Sequence, residues 1–174
     1  MKPILISAGH SNVDPGACAY GLREADIAVE MRNIVSFYLS RMGLPHDMDG
    51  KGTANMPLKE AAKKARAING IEVEFHCNAS DNISASGSEV LAGPANMKLA
   101  GLLSAAVALA LGVKNRGAKP QDSGQHSRLA FVQAGGMIVE LFFITNRTDI
   151  ERWQAKKWLV GKAVADVLAR AARG

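Results

Sequence analysis

The sequence has little cysteine, few aromatic residues and no apolar run as long as a typical membrane span. Its 174 residues include two cysteines, Cys18 and Cys77. Two cysteines are too few for a disulfide framework, and neither lies in a paired metal-binding motif. Aromatic residues make up 5% of the chain. No aromatic-rich RNA-binding signature, arginine-rich arm or zinc-finger spacing is present, so we expect no nucleic-acid partner.

Apolar segments are short at both places where a targeting or membrane signal would be expected. The amino-terminal run Pro3–Ser7 is too short for a signal-peptide core and leads into polar residues. The most apolar stretch, Leu99–Val113, spans 15 residues. About 20 are needed to cross a bilayer, so a buried helix is expected there. These features predict a chain made in the cytoplasm, without a Sec-type signal or a transmembrane segment.

The composition is that of an ordinary globular chain. Apolar residues make up 48% and charged residues 21%, and 174 residues suit one domain covering positions 1–174. We expect this domain to be a monomer. The formal charge of +5 favours anionic partners such as acidic lipid or an anionic cell envelope. Because the basic residues are scattered, simple solubility is an equally good explanation of the charge.

Strand-like and helix-like segments alternate along the chain. Short apolar runs typical of strands lie at Pro3–Ser7, Ile71–His76 and Gly87–Ala92, and two more apolar runs lie at Leu129–Gln133 and Met137–Phe143. Helical spacing occurs at Glu24–Met42, Pro57–Ile68, Asn96–Leu111 and from Asp149, as the cap, to about Arg170. Residues Asn115–Pro120 have turn chemistry and open a polar loop that runs through His126. The alternation predicts a single α/β layered domain, with a mostly parallel or mixed twisted sheet flanked by helices.

Metal-competent side chains lie where such strands and helices begin or end. His10 follows the first strand, Glu24 opens the first helix and His76 closes a later strand. Sites in open α/β sheets form at the carboxyl ends of strands. Two imidazoles and one carboxylate are a typical catalytic zinc set, with one position left for water. Taken singly, each residue also has an ordinary explanation: a turn residue, a first-turn helix charge and a strand end.

Glu140 is harder to explain as an ordinary residue. It interrupts the apolar run Met137–Phe143, and burying a carboxylate is costly unless it is paired or functional. The alternative is an edge strand on which Glu140 faces solvent.

Several short motifs lie along nearly the whole length of the chain, and their order carries information. In chain order they are Ser7–Ala17 (SAGHSNVDPGA), Gly21–Glu24 (GLRE), Glu74–Ala79 (EFHCNA), Gly87–Val90 (GSEV), Asn115–Gly117 (NRG) and Val139–Asn146 (VELFFITN) followed by Asp149. This combination resembles the zinc-dependent N-acetylmuramoyl-L-alanine amidases. The resemblance implies that His10, Glu24 and His76 bind Zn²⁺ and that Glu140 is the catalytic carboxylate. The bond cut would be the amide between N-acetylmuramic acid and L-alanine in peptidoglycan.

Other residues are weaker candidates for the same site. Asn78, Arg116 and His126 lie in predicted polar loops and are candidates to bind the substrate peptide, although ordinary loop hydrogen bonding explains each of them. Glu74 shares a strand face with His76 and competes with Glu24 as a ligand. Cys18 lies between two proposed ligands in sequence and is a candidate to approach the metal, whereas Cys77 should point to the other face of its strand.

These observations predict a peptidoglycan amidase. The absence of a signal peptide and of an added wall-binding domain fits a phage-type endolysin that reaches the cell wall after release. Two alternatives remain at this point. One is another zinc hydrolase, such as a carboxypeptidase or a small-amide deacylase. The other is a non-catalytic wall-binding module.

Overall fold

Short apolar runs of the chain form the strands of one mixed sheet. The structure is a computed structural model and describes residues 1–123 and 128–174. In chain order the strands are β1 (Ile4–Ala8), β2 (Cys18–Ala19), β3 (Leu22–Arg23), β4 (Asp47–Met48), β5 (Ile71–Asn78), β6 (Ser88–Ala92), β7 (Asn115–Pro120) and β8 (Met137–Phe143). Strands β2 and β3 form a separate antiparallel hairpin, and the other six form the sheet.

Two strands of the sheet run against the other four. The strand order is β4-β1-β5-β8-β6-β7, and every neighbouring pair is parallel except β6 and β8. The carboxyl ends of β1, β5 and β8 therefore lie at the same edge as the amino ends of β6 and β7. Side chains from both kinds of strand end meet at this edge.

Helices cover both faces of the sheet, as the α/β prediction requires. The helices are α1 (Glu24–Arg41), α2 (Leu58–Ile68), α3 (Met97–Leu111), α4 (Ala130–Gln133) and α5 (Arg147–Arg173). Helices α1, α3 and α5 pack together in the larger hydrophobic core on one face. Helices α2 and α4 pack over a smaller core on the other face, which contains Leu5, Phe131 and Ile138. The predicted single α/β layered domain with a mixed sheet is confirmed.

Two local predictions are wrong, and each has a physical reason. Residues Asn115–Pro120, expected as a turn, form edge strand β7. An edge strand tolerates the left-handed Gly117 (φ +81°) and the terminal Pro120 because its outer hydrogen bonds are not needed. Asp149 is not the cap of the last helix. Asn146 is the cap, and its side chain accepts a hydrogen bond from the Asp149 backbone N–H.

The Asp149 carboxylate is buried between the start of α5 and the sheet. It accepts hydrogen bonds from the Ser86 hydroxyl at 2.7 Å and from the backbone N–H groups of Gly87 and Phe143 at 3.3 Å. Of the two apolar runs after the polar loop, Leu129–Gln133 contains the short helix α4 and Met137–Phe143 is strand β8.

One helical stretch of the described residues is long and apolar enough to cross a membrane, judged by length and composition alone. It covers Pro94–Leu111 and has a mean hydropathy of 1.4. In the fold, one face of α3 is buried, including Leu103, Val107 and Leu111. The same face packs against α5 and the sheet, as a core helix would.

A buried ion pair holds the loop that follows β1. Arg32 and Asp49 are both fully buried, and Nη1 of Arg32 donates to Oδ1 of Asp49 at 2.8 Å. The other Asp49 oxygen accepts the backbone N–H of Ala8 at 3.1 Å. Nearby, Nδ2 of Asn55 donates to the carbonyl oxygen of Gly9 at 2.8 Å. These contacts fix the backbone directly before His10.

Candidate metal centre

The Glu24 carboxylate lies between two imidazoles. Its Oε2 is 2.9 Å from Nε2 of His10, and its Oε1 is 2.9 Å from Nδ1 of His76. The same two oxygens accept the backbone N–H groups of Ala17 and Cys77, each at 2.9 Å. Residues that are 66 positions apart in the sequence are thereby brought around one carboxylate.

Local backbone geometry allows these side chains to approach so closely. His10 has a left-handed φ of +66°, a conformation that non-glycine residues rarely adopt and that often marks functional sites. Any side chain at Gly9 would collide with the His76 ring. A Cβ at Gly16 would lie 2.5 Å from the His10 ring and 2.7 Å from the Glu24 carboxylate. The glycines leave the space in which the two rings and the carboxylate converge.

The three side chains fit a metal ion. One ligand atom each from His10, Glu24 and His76 lie within 4.8 Å of one another. Nε2 of His10 is buried and makes no well-directed hydrogen bond, although Oε2 of Glu24 is 2.9 Å away. An imidazole nitrogen left without a directed partner is suited to coordinate a cation. Two histidines and one glutamate are a donor set that zinc prefers, with room for a fourth ligand.

Glu74 lies on the far side of the His76 ring. Its Oε2 is 3.0 Å from Nε2 of His76, and its Oε1 accepts the Ser7 hydroxyl at 3.4 Å. Glu24 contacts the other ring nitrogen, so the geometry favours Glu24 as the ligand and Glu74 as the group that orients the ring. A carboxylate in this position fixes the tautomer of a metal-binding histidine.

Charge complementarity perturbs the protonation of these groups. Burial opposes ionisation of Glu24, but the two adjacent histidines outweigh it and hold the pKa of Glu24 well below its ordinary value. Burial opposes charging of His10 as well, yet contact with Glu24 leaves the pKa of His10 raised. The pKa of His76 is raised further, because Glu24 and Glu74 both contact its ring against the effect of burial. A metal cation bound here would supply the positive charge that the protonated His10 and His76 rings supply to Glu24 in its absence.

Glu140 lies beside the three residues without joining them. It pairs in register with His76 on β5 and with Glu89 on β6, so the three side chains share one face of the sheet. Its Oε2 is buried without a hydrogen-bond partner among the described residues. Burial raises the pKa of Glu140 to about 7, and the nearby carboxylates of Glu24 and Glu89 add to the rise. Such a carboxyl group exchanges protons readily near neutral pH.

The predicted substrate residues have different outcomes. A cleft of about 600 Å³ is lined by the three candidate metal ligands and Glu140. Asn78 and Arg116 line the same cleft. Nδ2 of Asn78 donates to Glu89 at 3.1 Å, and Nε of Arg116 donates to the same residue at 2.6 Å. His126 lies outside the described residues.

Two charged residues that line the cleft were not predicted from the sequence. Glu89 and Lys119 both line it, and they contact each other at 2.6 Å. A charged residue within the apolar strand Gly87–Ala92 was the available signal for Glu89, as it was for Glu140. Lys119 lies in the segment that was expected to be a turn, where a lysine gives no signal of a role in a cleft.

The two cysteines and the last helix lie outside the candidate metal centre. Cys18 is exposed, is absent from the cleft and has its Sγ 3.6 Å from the carbonyl oxygen of Gly16, so the expected approach to the metal is not seen. Cys77 is buried in the larger core on the opposite strand face, and burial raises the pKa of its thiol. Helix α5 docks on the sheet, where buried Trp153 stacks on Phe142.

Comparison with known proteins agrees with this geometry. The family model for N-acetylmuramoyl-L-alanine amidases matches residues 4–170. A crystal structure of a Neisseria meningitidis protein assigned to this amidase class has a TM-score of 0.88 and 46% sequence identity, and the match covers 97% of this chain and 94% of that one. The catalytic domain of the CD27L endolysin, which targets Clostridia difficile, has a TM-score of 0.72 and 20% identity, with 98% of both chains covered. At that identity the likeness shows the fold alone.

A longer relative shares the domain. The N-acetylmuramoyl-L-alanine amidase LytC of Bacillus subtilis is 28% identical over 157 residues, which is 87% of this chain. The match spans 31% of the length of LytC. The domain is thus one part of that larger protein.

The raised pKa of Glu140 predicts an effect on stability. A carboxyl group whose folded pKa of about 7 exceeds its ordinary value of 4.5 destabilises the folded state increasingly as pH rises between these values. We expect Glu140→Gln to stabilise the metal-free protein at pH 8 by up to about 3 kcal/mol, and by less at pH 5. Denaturant unfolding in the presence of chelator measures the difference.

The exposed Glu151 provides the matched control for this experiment. Glu151→Gln should change the free energy of unfolding by less than about 0.5 kcal/mol at either pH. A Glu140→Gln variant that is less stable than the wild type at pH 8, or equally affected at both pH values, would contradict the raised pKa.

Proposed function

Because the chain belongs to the N-acetylmuramoyl-L-alanine amidase family, we propose that it hydrolyses the amide bond between N-acetylmuramic acid and L-alanine in peptidoglycan, with zinc as its cofactor. The observation that carries the proposal is the convergence of His10, Glu24 and His76 within 4.8 Å beside Glu140, whose Oε2 is buried without a hydrogen-bond partner in the described part of the chain. A family assignment alone would leave open whether this chain retains the catalytic groups. All four are present, and they share one cleft.

Three residues of the chain would hold the zinc ion. His10, Glu24 and His76 would each supply one ligand atom, and these atoms lie within 4.8 Å of one another. Glu74 keeps the His76 ring in its orientation through the other ring nitrogen. When bound, zinc lowers the pKa of a coordinated water from about 15.7 to roughly 7 and polarises a substrate carbonyl.

Glu140 is the group that moves protons in this proposal. Burial raises its pKa to about 7 in the metal-free protein, and a zinc ion beside it would favour the ionised carboxylate that accepts a proton from the attacking water. Burial beside the cleft keeps its oxygens close to the reacting atoms and limits exchange with bulk solvent. The same carboxyl group then donates the proton to the departing amine of L-alanine. The reaction consumes one water and yields a free carboxylic acid and a free amine.

Removal of one ligand should remove the metal. We expect the wild-type protein to bind zinc with a stoichiometry near one and His76→Ala to lose most of it, because two ligands hold zinc far more weakly than three. His46→Ala is the control. His46 is hydrogen-bonded to Ser36 and to the Leu44 carbonyl and does not line the cleft. Elemental analysis after dialysis gives the ratio, and a wild-type protein that binds no zinc would favour a non-catalytic wall-binding module.

Digestion of purified peptidoglycan tests the reaction itself. We expect new L-alanine amino termini and no new reducing sugar ends, measured by mass spectrometry and end-group analysis. Glu140→Gln should retain zinc and lose about 10²- to 10⁴-fold in rate, because the proton carrier is gone. Glu151→Gln is again the control. Cleavage within the stem peptide would favour a carboxypeptidase, and near wild-type activity of Glu140→Gln with zinc bound would remove Glu140 from the mechanism.

We further propose a lytic role of the endolysin type, in which the protein is made in the cytoplasm and acts on the cell wall after release. The proposed reaction supports this role, because it detaches the stem peptides from the glycan strands of the cell wall.

Turbidity measures the proposed lysis directly. Bacteria whose peptidoglycan has been exposed should clear within minutes to hours after the protein is added. Chelator or the Glu140→Gln substitution should prevent clearing. Hydrolysis of soluble wall fragments without clearing of such cells would point to recycling or remodelling of peptidoglycan.

A further inference from the structure

Two cations share one carboxylate at the side of the cleft formed by β6 and β7. Oε2 of Glu89 lies 2.6 Å from Nε of Arg116 and 2.6 Å from Nζ of Lys119. The other oxygen of Glu89 accepts Nδ2 of Asn78 at 3.1 Å. Glu89 is 11% exposed, whereas Arg116 and Lys119 are each about 30% exposed. Two positive charges against one negative charge leave this cluster with an excess of one positive charge facing the cleft.

The guanidinium of Arg116 is held in a defined orientation. Its Nε donates to Glu89, and its Cζ atom lies over the Phe143 ring, 5.0 Å from the ring centroid. Among residues 1–123 and 128–174, its two terminal nitrogens have no hydrogen-bond partner. A guanidinium held by a cation–π contact and by one ion pair is pre-organised to bind a second carboxylate, since little side-chain entropy remains to be lost.

The cluster lies on the side of Glu140 that faces away from His76. Glu89 is the register partner of Glu140 on the neighbouring strand, so the two backbones are about 5 Å apart there. On the opposite side of Glu140 is β5, with His76 and the proposed metal. A substrate whose departing amine meets Glu140 therefore extends its peptide toward β6 and β7. One residue spans about 3.5 Å, which brings the residue after L-alanine to the cluster.

We infer that Arg116 and Lys119, positioned by Glu89, bind a carboxylate on the residue that follows L-alanine in the stem peptide. The inference rests on the proposed amidase function and adds to it a determinant of substrate choice. Lys119 supplies a second charge-assisted hydrogen bond beside the guanidinium, and Glu89 keeps the two cations from repelling each other before substrate arrives. Glu89 is thus a positioning residue, and the two cations contact the substrate.

A pair of soluble substrates tests the inference. They are N-acetylmuramoyl peptides that are identical except for a carboxylate or a carboxamide on the residue after L-alanine. The zinc-loaded wild-type protein should prefer the carboxylate by about 10- to 100-fold in kcat/KM, as expected for hydrogen bonds to a charged group. Arg116→Gln and Lys119→Met should each reduce this ratio toward one. Zinc content and thermal unfolding show whether each variant is folded.

Lys114→Met provides the matched control, because Lys114 is exposed at the start of the same segment and does not line the cleft. Its ratio between the two substrates should equal that of the wild type. If the wild-type protein cuts both substrates equally well, or if the preference survives in both folded variants, the inference is overturned while the proposed amidase function stands. If neither substrate is cut, the proposed function itself fails.

Discussion

The Glu24 carboxylate is the contact on which the candidate centre depends. It joins the loop after β1, the start of α1 and the end of β5 through two imidazoles and two backbone N–H groups. A buried carboxylate is costly without such partners, and each partner would be placed differently without it. The pKa shifts of Glu24, His10 and His76 express this mutual dependence. The same arrangement that satisfies the carboxylate brings the imidazoles to the spacing that a divalent cation requires.

Further buried polar groups hold the backbone around the centre in place. Arg32 and Asp49 hold Ala8, and Asn55 holds Gly9, so the backbone directly before the left-handed His10 is fixed. Asp149 ties the start of α5 to the segment before β6. A buried pair of this kind adds little net stability, yet losing one partner leaves an uncompensated charge. The Arg32–Asp49 pair therefore acts mainly by limiting the conformations of the segment that carries His10.

The mixed direction of the sheet explains why the cleft has two chemically different sides. Of the parallel strands, β1 is followed by His10, β5 carries His76 near its carboxyl end and β8 carries Glu140 at its middle. The reversed strands β6 and β7 deliver Glu89, Arg116 and Lys119 from their own segments. In an all-parallel sheet, the amino ends of β6 and β7 would lie at the edge opposite the carboxyl ends of β1, β5 and β8. Reversal of two strands thus sets a cationic cluster beside a carboxylate that is suited to proton transfer.

Local patterns were sufficient to predict most helices and the central strands. The spacing of apolar residues reflects the periodicity of helices and strands, so these elements can be predicted from neighbouring residues. The motifs around His10, Glu24, His76 and Glu140 are also made of contiguous residues. The roles of His10, Glu24, His76 and Glu140 were predicted from the resemblance to the amidase family and stay predictions, and the structure brings these four residues to one cleft. The strand at Asn115–Pro120, the Asn146 cap and the cluster of Glu89 with Lys119 were not predicted. The edge strand and the cluster depend on pairing between segments distant in the chain, and neither the register nor the direction of such pairing is contained in a local pattern. The Asn146 cap is a local contact, but Asp149 was available as a cap in the sequence, and only the fold shows that its carboxylate is used by Ser86 and Gly87 instead.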